Sequence, residues 1–150
     1  MNPKSSARVR FPTTRFGEIE AGADELLQFP GLPGFPEARR FLVRRHDRSS
    51  PFGWLLCADD PDLAFVVASP WHFVRDYAPS LHPRWLRALG ADEADELEIL
   101  AFATVTPEGV TLNLAAPILV HPGTRRGMQA ILDGGELPTR APVVAPAQRG

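Results

Sequence analysis

The sequence predicts a mainly β fold, a single-domain antiparallel β-barrel-like unit with one or two short helices. Three observations predict it. Short apolar runs rich in β-branched and aromatic residues recur at close spacing, each ending at a turn-forming residue. Sixteen prolines in 150 residues leave little room for long helices. About eight strand-like runs are joined by hairpin-length turns, with one convincing helical pattern among them.

The stretch Pro51–Pro70, PFGWLLCADDPDLAFVVASP, carries the plan. Its two apolar runs, Phe52–Cys57 and Leu63–Ala68, flank a turn of Asp59, Asp60, Pro61 and Asp62. Apolar runs without polar alternation belong to strands buried on both faces. Pro61 presets φ for the turn, and the aspartates can accept from nearby backbone N–H groups. This hairpin is expected at the middle of the sheet.

Taken in order, Met1 to Ala7 is polar and aperiodic, and residues 1–8 read as a flexible N-terminal extension. Val9 and Phe11 begin a strand, and Thr14–Glu20 (TRFGEIE) reads as the next. Gly22 to Leu26 holds a turn with at most a short helical piece. Phe29 to Phe41 is a proline-rich loop with apolar anchors at Phe29, Leu32 and Phe35. Phe41, Leu42 and Val43 form a short strand among arginines, followed by the central hairpin. Pro70 to Pro79 then places Trp71, Phe73 and Tyr77 in a segment without regular period.

Leu81, Trp85 and Leu89 recur at helical spacing, with Pro83 suited to the first turn and Gly90 to the C-cap. Asp92, Glu93, Asp95 and Glu96 fit a single helical turn. Leu97–Val105 and Val110–Ala115 are strands joined by Thr106–Gly109, and Ile118–Val120 pairs with Gly127–Leu132. The barrel domain is therefore set at residues 9–137, with a flexible Pro/Ala-rich tail over 138–150 and disorder expected in its last ten residues.

Composition bounds the function. Net charge is −2, so the whole chain makes no electrostatic case for nucleic acid. Lys4 is the only lysine among 16 basic residues. The single Cys57 excludes an internal disulfide and a C-x-x-C site. Apolar runs are strand-length, short of the ~20 residues of a transmembrane helix, and MNPKSSARVR holds no signal-peptide core. A cytoplasmic protein without membrane association is expected.

No enzyme signature is present: no G-x-G-x-x-G, phosphate-cradling loop, G-x-S-x-G or H-E-x-x-H. No catalytic, cofactor-binding or metal-binding residues are therefore assigned. Cys57 lies in an apolar strand and reads as core. His46, His72, His82 and His121 are scattered, without metal-ligand spacing. Asp59, Asp60 and Asp62 lack the Gly and terminal Glu of a calcium loop, and read as turn residues that leave a negative patch at the hairpin tip. Arg39, Arg40, Arg44, Arg45 and Arg48 could touch RNA phosphates, but no aromatics interleave with them and a solvated edge is favoured. Trp71, Phe73, Tyr77 and Trp85 either roof the core or form a protein-binding patch.

Five blocks carry a resemblance: TRFGEIE (Thr14–Glu20), FPGLPGFP (Phe29–Pro36), DDPDLAFVV (Asp59–Val67), DY (Asp76–Tyr77) and LNLAAPILVHPGTRRGMQAIL (Leu112–Leu132). In this order and spacing the chain resembles the flagellar assembly factor FliW family, from about Phe11 to Pro142. It departs where His121 replaces a frequent Asn, near Cys57 where a polar residue is common, and in its termini. The resemblance implies a non-enzymatic cytoplasmic protein, monomeric when free, with two protein partners and no direct nucleic-acid contact. One is flagellin. The other is CsrA, the regulator that represses flagellin translation. Partner-binding candidates are Asp59, Asp60 and Asp62 at the tip, with Trp71, Phe73, Tyr77 and Asn113 elsewhere. The alternative is a small RNA-binding β-barrel using the Arg39–Arg48 edge.

Overall fold

Thr13 and Gly17 set the first turn among the described residues. Strands β1 (Arg8–Thr13) and β2 (Gly17–Gly22) pair antiparallel across the three residues Thr14, Arg15 and Phe16. Gly17 takes φ of 73°, the left-handed geometry that closes a three-residue hairpin loop. The Thr13 hydroxyl donates to the Gly17 carbonyl at 2.7 Å and accepts from the Phe16 N–H at 2.9 Å. TRFGEIE is thus a turn followed by a strand, and not one strand from Thr14. The computed structural model describes residues 7–45, 50–132 and 137–143; His46 and Arg48 and residues 1–6 lie outside them.

The remaining strands are β3 (Leu27–Gln28), β4 (Arg40–Arg45), β5 (Phe52–Cys57), β6 (Ala64–Ala68), β7 (Glu98–Thr106), β8 (Gly109–Leu112), β9 (Ile118–His121), β10 (Arg126–Gln129) and β11 (Ala141–Val143). They form one sheet in the order β11-β8-β7-β6-β5-β4-β3-β10-β9, and β9 also pairs with β7. That extra pairing closes a ring through β3, β4, β5, β6, β7, β9 and β10, leaving β8 and β11 as a flap. The Phe52–Ala68 hairpin stands at the middle of the order, as the sequence indicates.

Strand β7 makes the ring possible because its length lets it serve three neighbours in turn. Glu98–Leu100 pairs with β9, Ala101 and Phe102 with β6, and Ala103–Thr106 with β8. Among the described residues, all strand pairings are antiparallel except one. Strands β3 and β10 run parallel through the single pair Gln28 and Arg126, reinforced by the Gln28 N–H donating to the Arg125 carbonyl at 2.8 Å. Composition also misplaces the chain's last described strand. Residues 141–143 are not tail but β11, whose Ala141 and Val143 face Leu112 and Val110 across the ladder.

Three apolar clusters explain why the central hairpin reads apolar on both faces. Leu55, Cys57 and Val67 join Phe41, Leu100, Ile118 and Val120 inside the ring. Leu56 and Leu42 face outward and are covered by Phe11, Ile19 and Ala21 of the β1–β2 hairpin, with Trp54 at the margin. A third cluster sits under the helical cap, where Tyr77, Leu89, Leu112, Leu119 and Ala141 meet. Leu55, Leu56, Ile118 and Leu119 are each 0% exposed, so neighbouring positions on one strand serve different cores.

Helix α1 (Pro83–Leu89) has the boundaries its sequence encodes. His82 Nδ1 caps it by accepting from the Arg84 N–H at 3.1 Å, and Gly90 ends it with φ of 77°. The Leu89 and Ala88 carbonyls accept from Thr124 Oγ1 and Arg126 Nη1, which ties the helix end to β10. Short 3₁₀ turns at Ala23–Glu25, Pro70–His72 and Ala94–Glu96 complete the connections. Gly127 matters through space: a Cβ there would lie 2.4 Å from the Phe29 ring, which packs on Phe41 at 4.6 Å between centroids.

Candidate functional site

The three tip aspartates have different tasks. Asp59 Oδ2 accepts from the backbone N–H groups of Arg39 and Arg40 at 3.0 and 2.9 Å, while Oδ1 accepts from Arg40 Nε at 2.9 Å. Burial alone would raise the Asp59 carboxyl, but these donors outweigh it and hold the group below the usual carboxylate range. Asp60 Oδ1 accepts from the Asp62 N–H at 3.0 Å, the aspartate turn the sequence predicts. Asp62 Oδ1 accepts from the Thr14 hydroxyl, and the Thr14 N–H donates to the Pro61 carbonyl at 2.8 Å. The tip is therefore latched to the β1–β2 turn. Asp59 is a structural ion pair with Arg40, so the negative patch reduces to Asp60 and Asp62.

The aromatic segment divides likewise. Tyr77 is 5% exposed, and its hydroxyl donates to the Leu114 carbonyl at 2.7 Å. Burial pushes its pKa up to about 12. Phe73 is half-buried against Phe52, at 5.6 Å between ring centroids. Trp71 remains 38% exposed, although its indole N–H donates to the Tyr77 carbonyl at 2.7 Å. Asn113 Oδ1 accepts from the Ala115 and Ala116 N–H groups, both at 3.1 Å, and holds the turn before β9. Trp71, Tyr77, Leu114 and Asn113 thus form one connected roof over the third cluster. Within it, Trp71 is the most exposed of the four side chains named.

Cys57 is fully buried, and burial pushes its thiol up. His121 Nδ1 accepts from the Gly123 and Thr124 N–H groups at 3.0 and 3.2 Å, while Nε2 faces Glu96 Oε1 at 3.1 Å. An Asn oxygen would satisfy the same two donors, which explains how His serves at this position. The Glu96 carboxyl is lowered by hydrogen bonds from the Asp92 N–H and from His121. Among the described residues, no three His, Cys, Asp or Glu side chains converge as metal ligands.

The arginine edge differs from its sequence reading in one respect. Arg40 is paired with Asp59 and Arg45 with Glu98. One of the others does meet an aromatic, since Phe16 lies beneath Arg44, and beside it Trp54 lies beneath Arg15 of the β1–β2 turn. The sequence signal was available, since Trp54 alternates with Leu55 on a two-faced strand. The contribution of Phe16 depends on a turn that sequence reasoning read as strand.

A family model described as FliW protein matches residues 10–143. The chain belongs to the FliW family. It is 39% identical over 134 residues to the flagellar assembly factor FliW of Syntrophotalea carbinolica, covering 88% of this chain and 96% of the relative. It is 40% identical over 132 residues to flagellar assembly factor FliW 2 of Desulfotalea psychrophila, covering 87% of each. The crystal structure of a flagellar assembly factor FliW superposes with a TM-score of 0.83 at 26% identity, over 91% of this chain and 98% of that one. The FliW match ends at Val143, the last residue of β11, which supports placing that strand within the domain.

Proposed function

We propose that this FliW-family chain is a cytoplasmic, non-catalytic flagellar assembly factor that works by switching partners. In this reading it captures CsrA and so relieves repression of flagellin mRNA. Flagellin, when it accumulates, occupies the chain in a chaperone-like complex and leaves CsrA free. The observation that carries the reading is family membership over residues 10–143, nearly the whole described chain.

The latched tip supplies a physical route for antagonism. Asp60 and Asp62 sit on a turn fixed at both ends, and a fixed charge beside an RNA-binding surface repels phosphate over ~8–10 Å in physiological salt. The alternative of direct RNA binding through Arg39–Arg48 loses support, because Arg40 and Arg45 are already ion-paired.

The deciding experiment is a pull-down with purified CsrA, repeated with flagellin added. CsrA should be retained alone and displaced by flagellin. Failure to retain either protein at micromolar concentration overturns the reading. A gel shift with structured RNA should show no salt-sensitive complex, and such a complex would return the alternative.

A further inference from the structure

The β1–β2 turn and the outer face of the β4–β5 pair bring together four side chains that the reading above does not use. The Arg15 guanidinium lies 4.8 Å from the Trp54 ring centroid. The Arg44 guanidinium lies 5.7 Å from that of Phe16. Phe16 and Trp54 meet edge to face with centroids 5.3 Å apart. The result is a ladder of cation, ring, ring and cation. Arg44 and Trp54 are cross-strand neighbours, so two rungs are fixed by sheet register. The other two are fixed by the latch of Thr14 to Pro61 and Asp62.

Three features mark the ladder as a surface awaiting a partner. The Arg15 and Arg44 side chains, like that of Arg10 on β1, make no ion pair or hydrogen bond among the described residues, whereas Arg8, Arg40 and Arg45 each hold a carboxylate. Phe16 is 39% exposed, a benzyl ring left in water at the tip of a rigid turn. Stacking on rings also holds each guanidinium in place while its N–H donors stay free to take a carboxylate.

The geometry points to this ladder as a docking surface for an acidic segment of a partner protein. One carboxylate would sit on Arg15, another on Arg44, and an apolar side chain would lie between them against Phe16. Two guanidiniums without a carboxylate partner select an anion, most strongly at Arg44, because Asp62 shares a cleft with Arg15 and offsets part of its charge. The rings select protein over nucleic acid: Trp54 already carries Arg15 and Phe16, and Arg44 covers part of Phe16, so the exposed remainder suits a small apolar side chain and leaves no open platform for a base.

The test uses no flagellar protein, so it stands or falls separately from the proposed function. A fluorescein-labelled peptide alternating Glu with Leu is titrated by anisotropy against the whole chain. Its Gln-for-Glu counterpart and a single-stranded RNA oligonucleotide are the comparison arms. The Glu peptide should bind saturably and weaken with salt. Arg15→Ala and Arg44→Ala should each weaken it about tenfold, as expected for losing a charge-assisted hydrogen bond. Arg44→Gln, which keeps the stem, should weaken it similarly if the alanine variant folds poorly. Backbone amide shifts confined to Arg15, Phe16, Arg44 and Trp54 would place the contact. Equal binding of the Glu and Gln peptides, tighter binding of the RNA, or arginine variants without effect would each overturn the proposal.

Discussion

The Tyr77 hydroxyl donates to the Leu114 carbonyl across 37 residues of sequence, and both residues are buried. This bond joins the aromatic roof to the segment leading into β9, making Tyr77 part of the core. Tyr77→Phe leaves the Leu114 carbonyl without its donor and should destabilise the fold by about 1–3 kcal/mol. Partner affinity should not change. Urea denaturation measures the first and a pull-down titration the second.

The same hydroxyl makes stability pH-dependent at the alkaline end. An unfolded tyrosine loses its proton near pH ~10, whereas Tyr77 in the folded chain holds it to about 12. Between those values the unfolded state binds fewer protons, so stability falls as pH rises. A gap of this size corresponds to roughly 2–3 kcal/mol. Denaturation curves at pH 9 and 11.5 should show the loss in the parent chain and not in Tyr77→Phe.

Asp59 acts in the opposite direction. Its folded pKa is depressed, so its contribution is present above the unfolded value of ~3.9 and is lost as pH falls through the folded value. Asp59→Ala should destabilise by about 1–2 kcal/mol at pH 7, with solvent screening favouring the lower end. The gap between variant and parent should close in acid. Asp60→Asn with Asp62→Asn keeps both acceptor oxygens, so that pair should leave stability unchanged while weakening antagonism of CsrA.

Gly127→Ala tests the close approach to Phe29. The added methyl meets a ring that Phe41 prevents from swinging away, and overpacking of this kind costs about 1–3 kcal/mol. Combining it with Phe29→Leu should recover part of the loss. Thermal melts of the two singles and the double would show it.

Cys57 should resist a thiol reagent in the native chain and react once urea is added, because its side chain is 0% exposed. Rapid labelling of native protein would mean that the β5–β6 hairpin opens readily.

Much of this architecture could be read from local chemistry. Pro83 and Gly90 bracket α1, and the apolar runs around Asp59–Asp62 mark the central hairpin, because turns and caps depend on near neighbours in sequence. Apolar spacing does not register the β1–β2 turn, because Thr13 and Gly17 determine it through φ and a side-chain hydrogen bond. Strand β11 was hidden because Pro142 and its neighbours resemble linker until Leu112 supplies the opposite ladder. Among the candidate residues, sequence located Asp59, Tyr77 and Asn113 without distinguishing a surface from a structural role. For Asp59 and Tyr77 that distinction rests on partners 19 and 37 residues away, Arg40 and Leu114, whereas Asn113 is held by the neighbouring Ala115 and Ala116.

The parallel seam between β3 and β10 has a consequence for synthesis. Arg125 Nη2 donates to the Glu25 carbonyl at 2.8 Å across 100 residues, beside the lone Gln28–Arg126 pair. A ribosome must therefore release most of the chain before the ring can shut, whereas the β1–β2 and β5–β6 hairpins can form from local sequence as they emerge. Until then β3, though paired with β4, keeps its outer edge open, and closure at Arg125 and Arg126 covers it.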